Sequence, residues 1–234
     1  MTKGSRTGWP RAAALAVVVA ATACAGGARQ EPERPRPPGS PAAEVAELEA
    51  LYRARRDSAR MHFTPADVRF MTGMIAHHAQ ALVMAGLVPE RSSSSSIRTL
   101  AARIINAQED EIARMQQWLR ERGQPVPEVH IEGLTVMLHG VDEHHMHMPG
   151  MLTPEQMQEL EAARGLEFDR LFLKYMIQHH RGAVSMVHEL FATDGAAQDE
   201  DVFRLAADIR VDQDTEIARM ELMLAALPAE GGAP

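Results

Sequence analysis

The feature that most restricts how this chain can fold is an internal repeat. The segment Met74-Ile75-Ala76-His77-His78 returns 102 positions later (74 to 176) as Met176-Ile177-Gln178-His179-His180. Four further residues recur at the same offset: Asp67, Phe70, Ala81 and Met84 return as Asp169, Phe172, Ala183 and Met186. A repeated segment of this length indicates a repeated structural unit that buries its apolar face against a copy of itself.

A second repeated segment follows each of the first. Glu111-Ile112-Ala113-Arg114-Met115 returns 105 positions later (111 to 216) as Glu216-Ile217-Ala218-Arg219-Met220, and Gln108 returns as Gln213. Apolar residues in both segments recur at helical spacing. Each repeat is therefore predicted to be a hairpin of two helices, and two such hairpins would pack into a four-helix bundle.

Composition supports an all-α fold. Hydrophobic residues make up 45% of the 234 residues and aromatics only 4%, so Leu, Ile, Val, Ala and Met must build the core. We predict a helical bundle over residues 42–228, with repeat one at about 62–123, a His/Met-rich connection at 124–152 and repeat two at about 166–227. Extra helices are expected near the N-terminus, from Ala42 to Arg60, and after Thr153, where Gln156 completes a capping box. Thr64 and Pro65 likewise predict a helix start.

The N-terminus has the pattern of an export signal. Basic residues precede an apolar run that ends before Cys24, so residues 1–23 are predicted to be a signal peptide. Ala21-Thr22-Ala23-Cys24 resembles a bacterial lipobox, which predicts lipidation of Cys24 and a membrane anchor at the cell envelope. Residues 24–41 contain five prolines and are predicted to be a tether. The alternative is cleavage without lipidation, which would give a freely secreted or periplasmic protein.

The two histidine pairs suggest a metal site. A single histidine on an apolar helix face is more often a packed core residue, because burial of an imidazole requires hydrogen-bond partners. Two copies, each with a methionine before and after the pair, favour metal binding. The predicted ligands are these imidazoles and thioethers: Met74, His77, His78, Met84, Met176, His179, His180 and Met186.

The connection between the repeats contains a second group of candidate ligands. Short His-rich tracts are a compositional sign of metal binding. The residues concerned are His144, His145, Met146, His147, Met148 and Met151. Thioethers favour Cu(I), while imidazoles also suit Cu(II), so copper is the predicted metal, as Cu(I) on the helices and with Cu(II) captured by the His-rich connection.

Carboxylates and amides near the histidine pairs are candidates either for direct ligands or for residues that orient the imidazoles. A metal-bound imidazole usually donates its other N–H to a carboxylate, carbonyl or water. The candidates are Asp67, Asp169, Gln108, Glu111, Gln213 and Glu216, together with the thioethers Met115 and Met220 on the partner helices. For the two aspartates, a role as charges at helix starts is at least as well supported.

Other function classes are less well supported. The net charge of -8, without a basic stripe, argues against a nucleic-acid partner. The sequence shows no catalytic residues, but a redox-active metalloenzyme such as an oxidase remains an alternative, as does a structural or interaction bundle without metal. The sequence leaves open whether the protein forms a homo-oligomer and which protein donates its copper.

These motifs resemble the domain of unknown function 305 family of bacterial envelope proteins. The resemblance rests on Met74-Ile-x-His77-His78 with Met84, on Phe168 to Phe172, on Met176-Ile-x-His179-His180 with Met186, and on Met148-Pro149-Gly150-Met151. It covers about residues 62–224. The resemblance implies a ferritin-like helical bundle that is secreted or tethered to the membrane, with some members linked to copper binding and tolerance. The expected role is a copper-binding protein that sequesters or hands on copper.

Overall fold

The structure is a computed structural model that describes residues 39–60, 62–140 and 148–228. The chain divides into two compact units, residues 1–47 and 48–234. Of the first unit, the structure describes residues 39–47, which include the start of the first helix. The packing described below lies within the second unit.

Helices dominate the described residues, which confirms the predicted all-α class. The helices in chain order are α1 (Pro41–Arg60), α2 (Pro65–Gly86), α3 (Val88–Arg91), α4 (Ser95–Glu121), α5 (Pro154–Ala162), α6 (Gly165–Ala192) and α7 (Glu200–Ala226). The predicted extra helices correspond to α1 and α5. In α1, Leu48 and Tyr52 are 65% and 66% exposed, so these apolar side chains do not join the core as the predicted bundle range implied.

The helix starts follow their predicted local signals. Thr64 caps α2: its side chain accepts a hydrogen bond from the Asp67 amide, while the Asp67 carboxylate accepts one from the Thr64 amide. Thr153 and Gln156 form the same reciprocal pair at the start of α5. These capping boxes satisfy amides that have no partner within the helix.

The long helices pack in pairs. α2 packs against α4 and α6 packs against α7, while α2 also packs against α6. Arg122 and Trp118, near the end of α4, both donate hydrogen bonds to the Asp199 carboxylate, which caps α7. This buried ion pair joins the two outer helices, α4 and α7, at one end.

A β-hairpin that was not predicted lies in the region predicted to be mostly a connection between the repeats. Strand β1 (Glu128–Glu132) pairs antiparallel with β2 (Thr135–His139). Gly133 begins the two-residue loop with a φ of 58°, a conformation that glycine adopts without strain. The signal was present in the sequence, because Val129 and Ile131 alternate with polar residues before this glycine.

The core consists of two hydrophobic clusters with a polar layer between them. One cluster contains the start of α2 and the end of α6, and the other contains the end of α2 and the start of α6. We call the polar side chains between them the polar layer. Seven of them are buried, namely His77, His78, Gln108, Glu111, His179, His180 and Gln213, and the eighth, Glu216, is partly exposed. The repeat in the sequence therefore places equivalent side chains at one level of the structure.

Helix α2 is also the most apolar long helix of the described part of the chain. By length and composition the segment Pro65–Arg91 would suffice to cross a membrane. However, 83% of its most apolar window is buried inside the protein. A core helix of a folded domain has the same composition, and the contacts of α2 with α4 and α6 are those of a core helix.

Candidate metal centre

The two histidine pairs meet in the interior. His77 on α2 and His179 on α6 have ring centroids 3.8 Å apart, and all four imidazoles are completely buried. Each ring also lies near its own neighbour in sequence, at 6.4 Å in α2 and 6.3 Å in α6. Because α2 and α6 pack against each other, a pattern that occurs once per repeat becomes a cluster of four imidazoles.

Two carboxylates define which nitrogen of two imidazoles is protonated. His78 Nε2 lies 2.6 Å from Glu111 Oε2, and His180 Nε2 lies 2.6 Å from Glu216 Oε2. A carboxylate accepts hydrogen bonds, so each ring donates through Nε2 when neutral and retains a lone pair on Nδ1. This is the carboxylate–imidazole arrangement that orients metal-binding histidines.

A backbone carbonyl performs the same role for His77. The segment Met148–Leu152, which we call the strap, crosses the outside of α2 and α6, and His77 Nε2 donates to the Pro149 carbonyl at 3.0 Å. Gln80 holds the strap through two hydrogen bonds with the backbone of Leu152. The strap therefore lies directly over the imidazole cluster.

Close backbone packing between the strap and α6 requires glycine. A Cβ atom on Gly182 would lie 1.9 Å from the Pro149 carbonyl oxygen, and one on Gly150 would lie 2.6 Å from the Gln178 carbonyl oxygen. These strap contacts were not predicted from the sequence. An available signal was Gly182 itself, because glycine within a helix costs about 1 kcal/mol relative to alanine and usually has a packing reason.

Five nitrogen atoms of the cluster have no hydrogen-bond partner among the described residues. They are Nδ1 of His77, His78 and His180 and both ring nitrogens of His179. Leaving a buried polar atom without a partner costs about 1–3 kcal/mol. The cluster is therefore costly as pure packing and supplies the free lone pairs that a metal ion would use.

Electrostatics keeps the central imidazoles neutral. Burial, with the neighbouring His78 and His180 rings, lowers the pKa of His77 to about 3, although the Pro149 carbonyl acts in the opposite direction. Burial and the other three imidazoles hold the pKa of His179 well below its usual range. Neutral imidazole is the form that can bind a metal ion, and these two rings have that form at neutral pH.

The predicted thioethers lie on both sides of the imidazoles. Met74, Met115 and Met186 belong to one hydrophobic cluster. Met84, Met176 and Met220 belong to the other. Each cluster contains methionines from both repeats, because α2 and α6 pack against each other. Met74, before the first histidine pair, lies in the same cluster as Met186, after the second pair, and Met176 lies with Met84 in the other cluster. Soft donors therefore flank the nitrogen donors.

The donor set suits a soft metal ion better than a hard one. Within the described ranges, no three His, Cys, Asp and Glu side chains are grouped closely enough to hold a metal ion by themselves. Methionine sulfur is outside that set of donors, and thioethers with imidazoles are the combination that favours Cu(I). The chemistry of the imidazole and thioether donors fits copper.

The two aspartates lie away from the imidazoles. Asp67 is used at the start of α2, where one oxygen binds Thr64 and the other accepts from the Ala197 amide. Asp169 is buried on the first turns of α6, and its Oδ1 has no partner in the described part of the chain. Ten residues of helix separate each aspartate from its histidine pair, a distance of about 15 Å. The role at a helix start is the one that the structure shows for Asp67.

The glutamines and glutamates of the polar layer line a surface groove between α4 and α7. The groove has a volume of about 280 Å³ and contains Gln108, Glu111, Gln213 and Glu216. Partial burial and the nearby Glu111 and Glu216 carboxylates raise the pKa of Asp212 on the same groove. The carboxylates that orient His78 and His180 therefore connect the buried imidazoles to a solvent-facing surface.

The second group of predicted ligands is only partly described. His144, His145, Met146 and His147 lie outside the described residues, as does Cys24. Met148 and Met151 are in the strap and are half-buried. The Met148 sulfur would lie 3.2 Å from a Cβ on Gly73, and the Met186 methyl group would lie 3.4 Å from it, so the strap brings one thioether beside a second one.

Solved structures with this fold include proteins from two bacteria. A fragment from Deinococcus radiodurans is 33% identical, with a TM-score of 0.58 and coverage of 70% of this chain and 99% of that one. A Streptomyces coelicolor protein that is predicted to be secreted is 28% identical, with a TM-score of 0.59 and coverage of 72% and 96%. Both are described as DUF305 proteins.

The chain is also similar to CopM, a protein whose structure is known in Cu(I)-bound, Cu(II)-bound, silver-bound and apo forms. The Cu(II)-bound form is 28% identical, with a TM-score of 0.52 and coverage of 68% of this chain and 95% of that one. No functionally curated protein matches the chain. The DUF305 domain of unknown function matches residues 67–224, which is more than half of the sequence, and this protein therefore belongs to the DUF305 family.

Proposed function

We propose that this protein binds copper as cargo and sequesters it or hands it on at the cell envelope. The ligands would be the imidazoles of His77, His78, His179 and His180 with the flanking thioethers. Cu(I) is the favoured state on the helices, and Cu(II) is assigned to the His-rich segment that includes His144, His145 and His147.

The observation that supports this proposal most strongly is the set of unpartnered Nδ1 atoms. Glu111, Glu216 and the Pro149 carbonyl each accept from an Nε2 atom, which leaves Nδ1 with its lone pair in a buried site. If the histidines served packing alone, leucine would fill the space without this penalty. Metal coordination accounts for both the protonated nitrogen and the free one.

The metal is assigned by similarity as well as by donor chemistry. CopM is bound to Cu(I), Cu(II) and silver in its solved structures, at 26–28% identity to this chain. Silver(I) and Cu(I) are both soft ions that prefer sulfur and imidazole donors. We extend copper binding to this chain because its described core has four imidazoles in the polar layer and methionines in the hydrophobic clusters on either side of it.

The architecture and location belong to the same proposal. The four long helices α2, α4, α6 and α7 would form a ferritin-like four-helix bundle from two repeated hairpins. Residues 1–23 would direct export, Cys24 would carry the lipid, and residues 24–41 would tether the bundle. The similar Streptomyces coelicolor protein is predicted to be secreted, which supports an extracytoplasmic location for this chain.

The test is removal of the two central imidazoles. His77→Leu/His179→Leu is expected to abolish high-affinity Cu(I) binding in anaerobic competition with a chromogenic chelator. The variant leaves both His–Glu pairs intact. It removes three unpartnered nitrogens but also the donor to the Pro149 carbonyl, so these two effects on stability oppose each other, and circular dichroism with the melting temperature establishes that the variant is folded. Loss of binding can then be assigned to lost ligands.

The matched control removes two exposed imidazoles, His62→Ala/His188→Ala. Both variants should be made in a chain whose His144, His145 and His147 are replaced by alanine, because that segment is itself assigned copper. The control is expected to bind Cu(I) as the parent does. Equal Cu(I) affinity in the control and in the His77→Leu/His179→Leu variant would refute the proposed site.

The orienting carboxylates give a smaller prediction. Glu216→Ala is expected to weaken Cu(I) binding by about 10-fold, because loss of a residue that orients a ligand typically costs 10–100-fold in metal affinity. Glu216 is 20% exposed in its side chain, so the truncation is tolerated better than at buried Glu111. Glu221→Ala, on the same helix in an exposed pair with Arg181, is the control and should leave Cu(I) affinity unchanged.

A further inference from the structure

The groove between α4 and α7 contains more polar groups than its role beside the imidazoles requires. Glu111 and Glu216 each use Oε2 to accept from a histidine. Gln108 and Gln213 lie one helical turn before them and also line the groove. The two carboxylates and two amides are thus arranged at the same level on facing helices.

Three of the four amide N and O atoms of these glutamines have no hydrogen-bond partner in the part of the chain that the structure describes. Gln108 is 1% exposed and both atoms of its amide are unpartnered, while Gln213 is 2% exposed and its Oε1 is unpartnered. Each such atom costs about 1–3 kcal/mol, and leucine would occupy the space without that cost. An unpartnered amide oxygen at each of two equivalent glutamines indicates a missing ligand.

We propose that this groove is a second cation site, which takes a hard divalent cation such as Mn²⁺ through the amide oxygens of Gln108 and Gln213 and the free carboxylate oxygens of Glu111 and Glu216. The assignment is independent of copper binding by the imidazoles. Oxygen donors of these two types suit Mg²⁺, Ca²⁺ and Mn²⁺, whereas no thioether lines the groove.

The proposed site needs the amide oxygens as donors in addition to the two carboxylates. His, Cys, Asp and Glu side chains in the described ranges do not group in threes for a metal ion, but this criterion leaves out glutamine oxygens. Two amides and two carboxylates supply four donors, and water from the open side of the groove can complete the coordination that hard cations prefer.

The charge of the groove is compatible with a cation. Glu111, Glu216 and Asp212 contribute three carboxylates, while Arg103 and Arg219 contribute two guanidinium groups. Both arginines are exposed, so water screens them, whereas Glu111 and both amides are buried. The arginines will weaken the affinity without reversing the preference for a cation.

The two sites would be coupled through the shared carboxylates. A cation on the free oxygen of Glu111 draws electron density from the oxygen that accepts from His78, and the same holds for Glu216 and His180. Any such effect on copper affinity must be matched by an equal effect of copper on affinity for the second cation.

The experiment is a titration of the metal-free full chain with Mn²⁺, in which electron paramagnetic resonance measures free Mn²⁺. The parent is expected to bind one Mn²⁺ per chain, and Gln108→Leu/Gln213→Leu is expected to bind at least about 10-fold more weakly. The variant should melt at the same or a higher temperature, because unpartnered buried polar atoms have been removed. Gln117→Leu, at an exposed position of α4, is the control and should bind Mn²⁺ as the parent does.

The outcomes separate this inference from the copper proposal. Mn²⁺ binding by a folded Gln108→Leu/Gln213→Leu variant with the affinity of the parent overturns the cation site, and so does a parent that binds no Mn²⁺. Circular dichroism establishes whether the leucine variant is folded. If it is not, Gln108→Glu/Gln213→Glu takes its place, and this variant is expected to bind Mn²⁺ because it keeps the oxygen donors. Loss of Mn²⁺ from the Glu variant as well would also overturn it. Cu(I) affinity of the same parent protein is measured separately and decides only the copper proposal.

Discussion

Replacement of Gly182 by alanine is expected to lower the free energy of unfolding by about 3 kcal/mol, a large fraction of the stability of an ordinary domain. The new Cβ would lie 1.9 Å from the Pro149 carbonyl oxygen and 2.7 Å from Gly150 Cα. These neighbours are backbone atoms, so the strap must move as a whole. Its displacement would also remove the acceptor from His77 and the partners of Gln80.

The loss should exceed the gain in helix propensity. Alanine in place of glycine stabilises a helix interior by about 1 kcal/mol, which acts against the predicted effect. Gly86→Ala is the matched control, because a Cβ at this exposed residue of α2 has no atom within 4 Å. Urea unfolding of the two variants measures the difference. Faster amide hydrogen exchange at Leu152, which donates to Gln80, would report release of the strap.

An equal change in stability for Gly182→Ala and Gly86→Ala would mean that the strap adapts without cost. Such a result would contradict the view that the backbone contact between Pro149 and Gly182 positions the carbonyl over His77. In that case the orientation of His77 would have to depend on α2 and α6 alone.

Acidification of the metal-free protein is expected to destabilise it by about 4 kcal/mol between pH 7 and pH 5. The pKa of His77 is lowered to about 3 and that of His179 lies well below the usual range, whereas in the unfolded chain both are near 6.5. Below pH 6.5 the unfolded state therefore binds two protons that the folded state excludes. The stability is fully present above about pH 6.5 and falls as pH decreases, by about 1.4 kcal/mol per pH unit for each histidine.

The measurement is the free energy of urea unfolding at several pH values between 7 and 5, in the presence of a metal chelator. The variant His77→Leu/His179→Leu lacks both groups and should lose most of this slope. The exposed-histidine control, His62→Ala/His188→Ala, should keep the slope of the parent. The same slope in all three proteins would show that the central imidazoles are protonated in the folded state, contrary to their burial.

Local signals made much of the fold predictable. The starts of α2 and α5 follow from Thr64 and Thr153, because capping depends on residues three positions apart. The β-hairpin was not predicted, because its five-residue strands lie within a segment rich in Pro, Gly and His that has the composition of a connection. The strap contacts were missed because Pro149 and His77 are 72 residues apart in sequence.

Some residues of the candidate site could be predicted from the sequence, and the roles of others could not. The histidine and methionine pattern was visible in the repeat, as were Glu111 and Glu216 on the partner helices. The pattern did not separate Asp67, which caps a helix, from Glu111, which contacts His78. Both are acidic residues near an apolar stripe, and only the packing of α4 against α2 distinguishes them.

By itself, the sequence determined the helical class and the types of donor atom, and it predicted the repeated hairpins. Hydrophobic periodicity, helix capping and side-chain chemistry are properties of short segments, so they can be recognised without the tertiary structure. Only the tertiary structure decided that the two histidine pairs meet, which ring nitrogens have partners and which glutamines lack them. These facts depend on contacts between helices that lie far apart in the chain, such as His77 with His179 and His180 with Glu216. No local pattern encodes them, because the same helix can present a histidine to solvent, to packing or to a ligand depending on what covers that face.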